Sequence, residues 1–360
     1  MSCATTDADR LRVTCESIPP LCAEAAAAAT ARQDALTKPP GSLGRLEEVS
    51  IRLAAITGQE RPRLGRKVVF TLAGDHGVVA EGVSAFPQAV SAQMVANFLR
   101  GGAAVCVLAR HAGAEVVVAD LGLAGEVPGD TAALRDCRVA NGTANMAQGP
   151  AMTQAQMCRA VCAGLDLVTE EVAKGLTLAA TGEMGIGNTT PATAVVAALA
   201  GVDPVTVTGP GTGLDQAGIA HKVDIIRQAL AVNQPDRQDP WDVLTKVGGL
   251  EIAGLVGVIL GCALDRVPVV VDGFISTAAA LIAACACPLA REYMFAGHRS
   301  AEPGHDLMLK LLGLSPLLDL RMRLGEGTGA VLAFAVIDSA ARILDEMATF
   351  AEAGVTDEAS

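Results

Sequence analysis

Residues 324–332, LGEGTGAVL, put one carboxylate, Glu326, between two glycines at the mouth of an apolar run. Glycines on either side let the backbone approach a ligand and hold a short turn, and a helix starting just after it would stabilise negative charge on the side chain. A carboxylate held this way is either a helix cap or a proton acceptor. The chain carries no serine nucleophile elbow, no supported metal site and no cofactor fingerprint, so a reaction that needs a single proton acceptor suits it.

Glycine clusters supply the second kind of chemistry. In ATGEMGIGNTTPATAVVAAL an apolar run passes through Gly182, Gly185 and Gly187 into a helix expected to begin near Thr189 or Thr190. Such a turn can aim backbone N–H groups at an anion, with the partial positive charge of the helix start behind them, or it can simply cap the helix. The spacing is neither a Walker loop nor a dinucleotide fingerprint. A second cluster, TGPGTGLD at 208–215, is followed by Lys222 and reads either as a phosphate nest or as a loop beside a solvated lysine.

Asp75 and His76 could be a metal pair or an acid/base pair, but adjacent residues do not easily chelate one ion and a third ligand is missing. His298 and His305 flank Glu302 and a Pro-Gly turn, match no ligand spacing, and read as loop or helix-capping residues. No metal is expected. The stretch EGVSAFPQAVSAQM, 81–94, offers Ser84, Phe86 and Gln88 on a loop entering a helix at about Pro87. An aromatic face beside a hydroxyl and an amide suits a flat heteroaromatic ligand, and an N-capped helix with a packed Phe explains it equally well.

The elements that must position these groups alternate. Apolar runs recur in KVVFTLAGDHGV, AEVVVADLG, LTLAATGEMGIG, VPVVVDGF and EYMFAGH, and helical patterns over 88–100, 190–199 and 276–284 follow. Strands apolar on both faces predict an α/β fold, a three-layer, Rossmann-like parallel sheet flanked by helices. Ligands bind such sheets at the carboxyl ends of the strands, which would gather Asp75, His76, Glu183 and Asp272 at one rim. Residues 1–65 carry helical patterns only, with an alanine block at 23–29 and an amphipathic stretch at 43–56. Residues 331–350 return to helical spacing. Segments 1–65 and about 331–360 are therefore expected to form a smaller helical domain, and 66–330 the α/β domain.

Composition narrows the function. Of 360 residues 51% are hydrophobic but only 2% aromatic, so the interior must be built from closely packed Ala, Val, Leu and Ile. A net charge of −12 argues against a nucleic-acid or anionic-membrane partner and leaves room for a small anion held in a local pocket. The ten cysteines show no CxxC pairing and read mostly as core thiols in a reducing compartment, with Cys3 the candidate for a redox-sensitive exception. Charge in the first twenty residues does not fit a signal peptide, and the apolar stretch 252–264 is too short to span a bilayer, so a cytoplasmic location is expected.

The motifs KPPGSLGRLE, GDHGVVAEGVSAFPQ, NGTANM, GEMGIGNTTPATA, GPGTGLD, GGLEIAGL, VVVDGFISTAAAL, AGHRSAEPGH and LRMRLGEGTGA, in this order over nearly the whole chain, resemble the nicotinate-nucleotide:dimethylbenzimidazole phosphoribosyltransferase family. The resemblance implies transfer of 5-phosphoribosyl from nicotinate mononucleotide to 5,6-dimethylbenzimidazole, with Glu326 as general base and no cofactor. It implies a phosphoribosyl site at Glu183, Gly185, Asn188, Thr212, Lys222, Asp272 and Ser300, a base pocket at Ser84, Phe86 and Gln88, and a homodimer. Transfer to another azole or purine, hydrolysis, and a non-catalytic nucleotide sensor are the alternatives.

Overall fold

The apolar runs become strands because β-branched and small residues fill both faces of a pleated sheet. A computed structural model describes residues 6–356, so Cys3 and the last four residues of the acidic tail lie outside the described chain. Three helices come first, α1 (Asp7–Ser17), α2 (Ala23–Ala35) and α3 (Arg45–Thr57). Strand β1 (Arg66–Gly74) leads to α4 (Val90–Leu99) and α5 (Ala104–Ala112), then to β2 (Glu115–Gly122) and the two-residue β3 (Arg135–Asp136). Next come α6 (Gln154–Val172), β4 (Leu176–Met184), α7 (Thr189–Ala200), α8 (Gln216–Asn233), α9 (Pro240–Val247) and α10 (Leu250–Leu264). The chain closes with β5 (Val269–Val271), α11 (Phe274–Ala286), β6 (Met294–Ala296), α12 (His305–Leu312), α13 (Thr328–Glu346) and α14 (Phe350–Ala353).

The six strands form one parallel sheet in the order β3-β2-β1-β4-β5-β6. Chain order reverses between β1 and β4, where Leu72 lies opposite Glu183 and Ala73 opposite Met184. A crevice opens at such a switch point because the connections on its two sides leave in opposite directions. The α/β expectation from the sequence is met; β3 is an addition, too short to leave a periodic signal.

Helix α10 lies along β1, β2 and β4 and packs on α6 and α11, while α5 and α13 lie against β2, β4 and β5. The α6–α10 contact shows the close packing that an interior poor in aromatics allows. A Cβ at Gly164 would lie 2.0 Å from the Gly254 carbonyl oxygen, and one at Gly257 1.9 Å from that of Val161, so the helices meet backbone to backbone with no room for large side chains. The apolar stretch 252–264 is the buried heart of this contact. The apolar residues 90–112 form two helices rather than one: the chain breaks between α4 and α5, where Gly101 has φ +73°.

Among the amino-terminal helices, α2 and α3 pack with α13, and α1 lies on α6 and α10. Arg32 of α2 donates from Nε to the Leu344 carbonyl at 2.6 Å, satisfying an acceptor near the end of α13. The thiols are not all free core residues: Cys15 and Cys287 form a disulfide that ties α1 to the end of α11.

Candidate active site

A cavity of about 410 Å3 opens at the carboxyl ends of β4, β5 and β6, a volume suited to a small organic ligand. One wall is apolar: Phe86, Val90 and Met94 from the entry to α4, with Met184 and Ile186 from the end of β4. The opposite end is polar, with Thr189, Gly211, Thr212, Ser300, Glu302 and Arg323. Glu183, His298 and Glu326 also line the cavity.

Glu326 is buried, with 5% of its surface exposed. Three consecutive residues, Gly325, Glu326 and Gly327, have φ of +85°, +67° and +101°. Glutamate is uncommon in that region, and the surroundings hold it there. Thr71 of β1 donates its hydroxyl to the Glu326 carbonyl at 3.0 Å, and a Cβ at Gly182 would lie 2.2 Å from the same oxygen. The flanking glycines are needed for contact as well as for conformation, since a Cβ at Gly325 would lie 2.2 Å from Glu183 Oε1 and one at Gly327 2.6 Å from Val69 Cγ1.

The carboxylate itself meets a different helix from the one the sequence suggested. Oε2 accepts from the backbone N–H of Val105, in the first turn of α5, at 3.2 Å. The start of α13, which follows Glu326 in sequence, gives no such bond because the left-handed turn points the side chain elsewhere. Burial raises the carboxyl above its usual range, the Val105 N–H opposes this, and Asp272 adds to it.

Glu183, near the end of β4, is pushed up to about 8 by burial and by the charges of Asp272, Glu251 and Glu326, against a hydrogen bond from Asn188 Nδ2. Both effects favour its protonated form at neutral pH. Asp272, just past β5, lies behind the wall; it accepts from the Ala330 N–H at 2.8 Å and sits 3.6 Å from His298 Nε2. Burial raises its carboxyl too, opposed first by His298.

At the polar end Lys222 of α8 has no solvent exposure and donates to Thr189 Oγ1 at 2.6 Å. Its ammonium lies under the 208–213 loop, 3.2 Å from where a Gly211 Cβ would be. Burial pulls its pKa down to about 8, against the attraction of Glu302. Burial raises the Glu302 carboxyl in turn, with Lys222 and Arg323 opposing. The solvated-lysine reading of the sequence is thus excluded. The loop is latched on two sides, because Thr212 Oγ1 accepts from Ala85 N–H and pairs with Ser84 Oγ at 3.1 Å, and Arg323 donates to the Gly211 carbonyl at 2.7 Å.

Of the residues singled out in the sequence, Glu326, Glu183, Gly185, Asn188, Thr212, Ser300 and Phe86 line the cavity together. Lys222, Asp272 and Ser84 stand one contact behind it, and Gln88 is not in its wall. In the 185–190 turn the N–H groups of Ile186, Asn188 and Thr190 are taken by Ser91 Oγ and the carbonyls of Gly185 and Gly187, so they are not free to cradle an anion. The four-residue rim assembles only in part. Asp75 and His76 lie on the far side of Gly185, where His76 Nε2 is 2.9 Å from Glu251 Oε1. Burial lowers the His76 pKa, but Glu251 and Asp75 more than offset that and hold it above the usual value.

The sequence reading missed His298, Glu302, Arg323 and Thr189 as wall residues. The signal available was AGHRSAEPGH directly after a strand run, the position where α/β sheets place ligand contacts. Among the described residues, no group of three His, Cys, Asp or Glu side chains is arranged to hold a metal.

Residues 18–355 match a family model described as phosphoribosyltransferase. A relative from Desulforamulus reducens named nicotinate-nucleotide–dimethylbenzimidazole phosphoribosyltransferase is 58% identical over 326 residues, 90% of this chain and 93% of its own. One of the same name from Geobacter metallireducens is 57% identical over 345 residues, 96% of this chain and 98% of its own. A crystal structure of nicotinate-nucleotide–dimethylbenzimidazole phosphoribosyltransferase from Thermus thermophilus superposes with a TM-score of 0.88 at 50% identity, covering 93% of this chain and 99% of that one.

Proposed function

The chain belongs to the nicotinate-nucleotide–dimethylbenzimidazole phosphoribosyltransferase family, and on that premise we propose a division of labour among its cavity residues. The reaction transfers 5-phosphoribosyl from nicotinate mononucleotide to 5,6-dimethylbenzimidazole, giving α-ribazole 5′-phosphate and nicotinate. Nicotinate bonded through its ring nitrogen is a pyridinium. As the bond to the anomeric carbon breaks, its electron pair returns to that nitrogen and neutralises the ring, so the leaving group needs no acid. One azole nitrogen of the acceptor attacks the opposite face, which sets the α configuration. The other nitrogen's proton becomes acidic as positive charge develops on the ring, and Glu326 takes it.

The observation that carries this reading is a buried carboxylate, Glu326, in the same cavity as an apolar wall, with a buried ammonium at the cavity's polar end. The apolar wall, with Phe86, suits the flat acceptor; Lys222, Thr212, Asn188 and Ser300 suit the phosphoribosyl group. Glu183, protonated at neutral pH, offers the ribose a donor without placing a second negative charge beside Glu326. Desolvation makes Glu326 a stronger base than a solvated glutamate, and a well-placed base contributes roughly 10²- to 10⁴-fold. Holding both reactants in one cavity contributes at least as much.

A homodimer in the cytoplasm belongs to the same proposal. The dimer is supported by the exposed side chains of Phe86 and Leu324 at the cavity mouth; sedimentation as a monomer at working concentration would remove it. The smaller helical domain, 1–65 with 331–360, is supported by the packing of α2 and α3 on α13. The reaction itself is tested by incubating the protein with nicotinate mononucleotide and dimethylbenzimidazole. Nicotinate release that depends on the acceptor is expected; release without the acceptor would point to hydrolysis, and no release to a binding protein.

A further inference from the structure

His305, the first residue of α12, has no solvent exposure and sits behind the cavity wall. Its Nδ1 lies 2.8 Å from the backbone nitrogen of Ser300, and its Nε2 2.9 Å from Thr277 Oγ1. A backbone N–H can only donate, so Nδ1 carries the lone pair and the ring proton is on Nε2. Thr277 Oγ1 accepts a hydrogen bond from that N–H and donates its own hydrogen to the Gly273 carbonyl at 2.7 Å. On the other side, Ser300 Oγ accepts from the Glu302 N–H at 3.3 Å, which leaves the Ser300 hydroxyl proton free. Gly273 and Ser300 both line the cavity, one after β5 and the other after β6. Every donor in this chain has one consistent direction, and the chain ends on an unspent O–H at the polar end of the site.

We infer that His305 is the positioning residue for the phosphoribosyl donor: it clamps the loops after β5 and β6 together and fixes Ser300 so that its hydroxyl donates to the donor's phosphate. The inference rests on the phosphoribosyl reading of the polar end given above. A neutral imidazole is required, since an imidazolium would turn a second N–H against that of Ser300. Burial and the nearby His298 keep the ring neutral, pulling its pKa down to about 4, with Asp306 opposing and Arg299 assisting.

The test compares three variants by steady-state kinetics with both substrates. His305→Asn keeps an acceptor at the Nδ1 position, His305→Gln reaches toward Thr277 without one, and His305→Leu has neither. The expected result is a KM for nicotinate mononucleotide raised tenfold or more in His305→Leu and His305→Gln, with the KM for dimethylbenzimidazole within twofold of the parent, and most of the loss recovered in His305→Asn. Ser300→Ala combined with His305→Gln should cost little more than the worse single change, because both remove the same contact. Parallel rises in both KM values, or a His305→Asn variant as impaired as His305→Gln, would overturn the inference; if His305→Leu does not fold, the Asn and Gln pair decides alone. A parent protein that releases no nicotinate would instead overturn the underlying functional reading.

Discussion

Glu326 Oε2 accepts a hydrogen bond from the backbone N–H of Val105, a residue 221 positions earlier in the chain, at 3.2 Å. The first turn of α5 therefore aims the carboxylate. Its partial positive charge opposes the effect of burial without cancelling it, so the carboxyl stays above its usual range, where a lysine or arginine would lower its basicity far more.

Glu326→Gln should bind nicotinate mononucleotide normally and lose roughly 10²- to 10⁴-fold in kcat, since an amide cannot accept the azole proton. Near-parental kcat with saturating dimethylbenzimidazole would reject Glu326 as the base.

Lys222→Ala should weaken nicotinate mononucleotide binding about tenfold or more, because it removes the positive charge behind Thr189 and the charged hydrogen bond, roughly 1.5–3 kcal/mol, that holds Thr189 in the cavity wall. Dimethylbenzimidazole affinity should not change. In the parent, the lowered pKa of about 8 leaves the lysine charged below that pH and neutral above it. Nucleotide affinity should accordingly fall as pH rises through about 8. Unchanged nucleotide affinity by calorimetric titration would remove Lys222 from the phosphoribosyl site.

Glu183 makes stability depend on pH in the direction opposite to a salt-bridged acid. Its folded pKa of about 8 lies above the ordinary 4.5, so between these values the folded state holds a proton that the unfolded state has lost. Stability should then decline as pH rises from about 4.5 to 8. Glu183→Gln should flatten that slope in denaturant titrations at a series of pH values. An identical slope in the two proteins would show that Glu183 is ionised when folded.

Gly182→Ala tests the backing of the catalytic turn. The new Cβ would lie 2.2 Å from the Glu326 carbonyl oxygen and 2.9 Å from the Gly327 nitrogen, both backbone atoms that cannot rotate away. Overpacking of this kind costs about 1–3 kcal/mol, and the displaced turn should lower kcat more than either KM. Unchanged kcat with a lowered Tm would show that the turn tolerates movement.

Much of the fold was legible because its signals are local. The five apolar runs read as strands all formed, and each is buried on both faces over most of its length or throughout. Glycine at 325 and 327 spoke for a short turn around Glu326, and the chain turns there; that Glu326 itself has positive φ is visible only in the folded chain. The glycine-rich turn after β4 was less legible. A Gly pattern reports freedom to turn, and only the folded chain reveals which N–H groups remain after Ser91 and the turn's own carbonyls have taken theirs.

The sequence by itself determined a parallel α/β sheet, an interior of small side chains and a carboxylate held in a short glycine-flanked turn, because periodicity and glycine conformational freedom act over a few residues. Tertiary structure alone decided that α5 rather than α13 caps Glu326, that Lys222 is buried against Thr189, and that His298, Glu302 and Arg323 join the cavity wall. Those relations depend on how helices and strands distant in sequence pack side by side, and no local pattern encodes the distance between two such atoms.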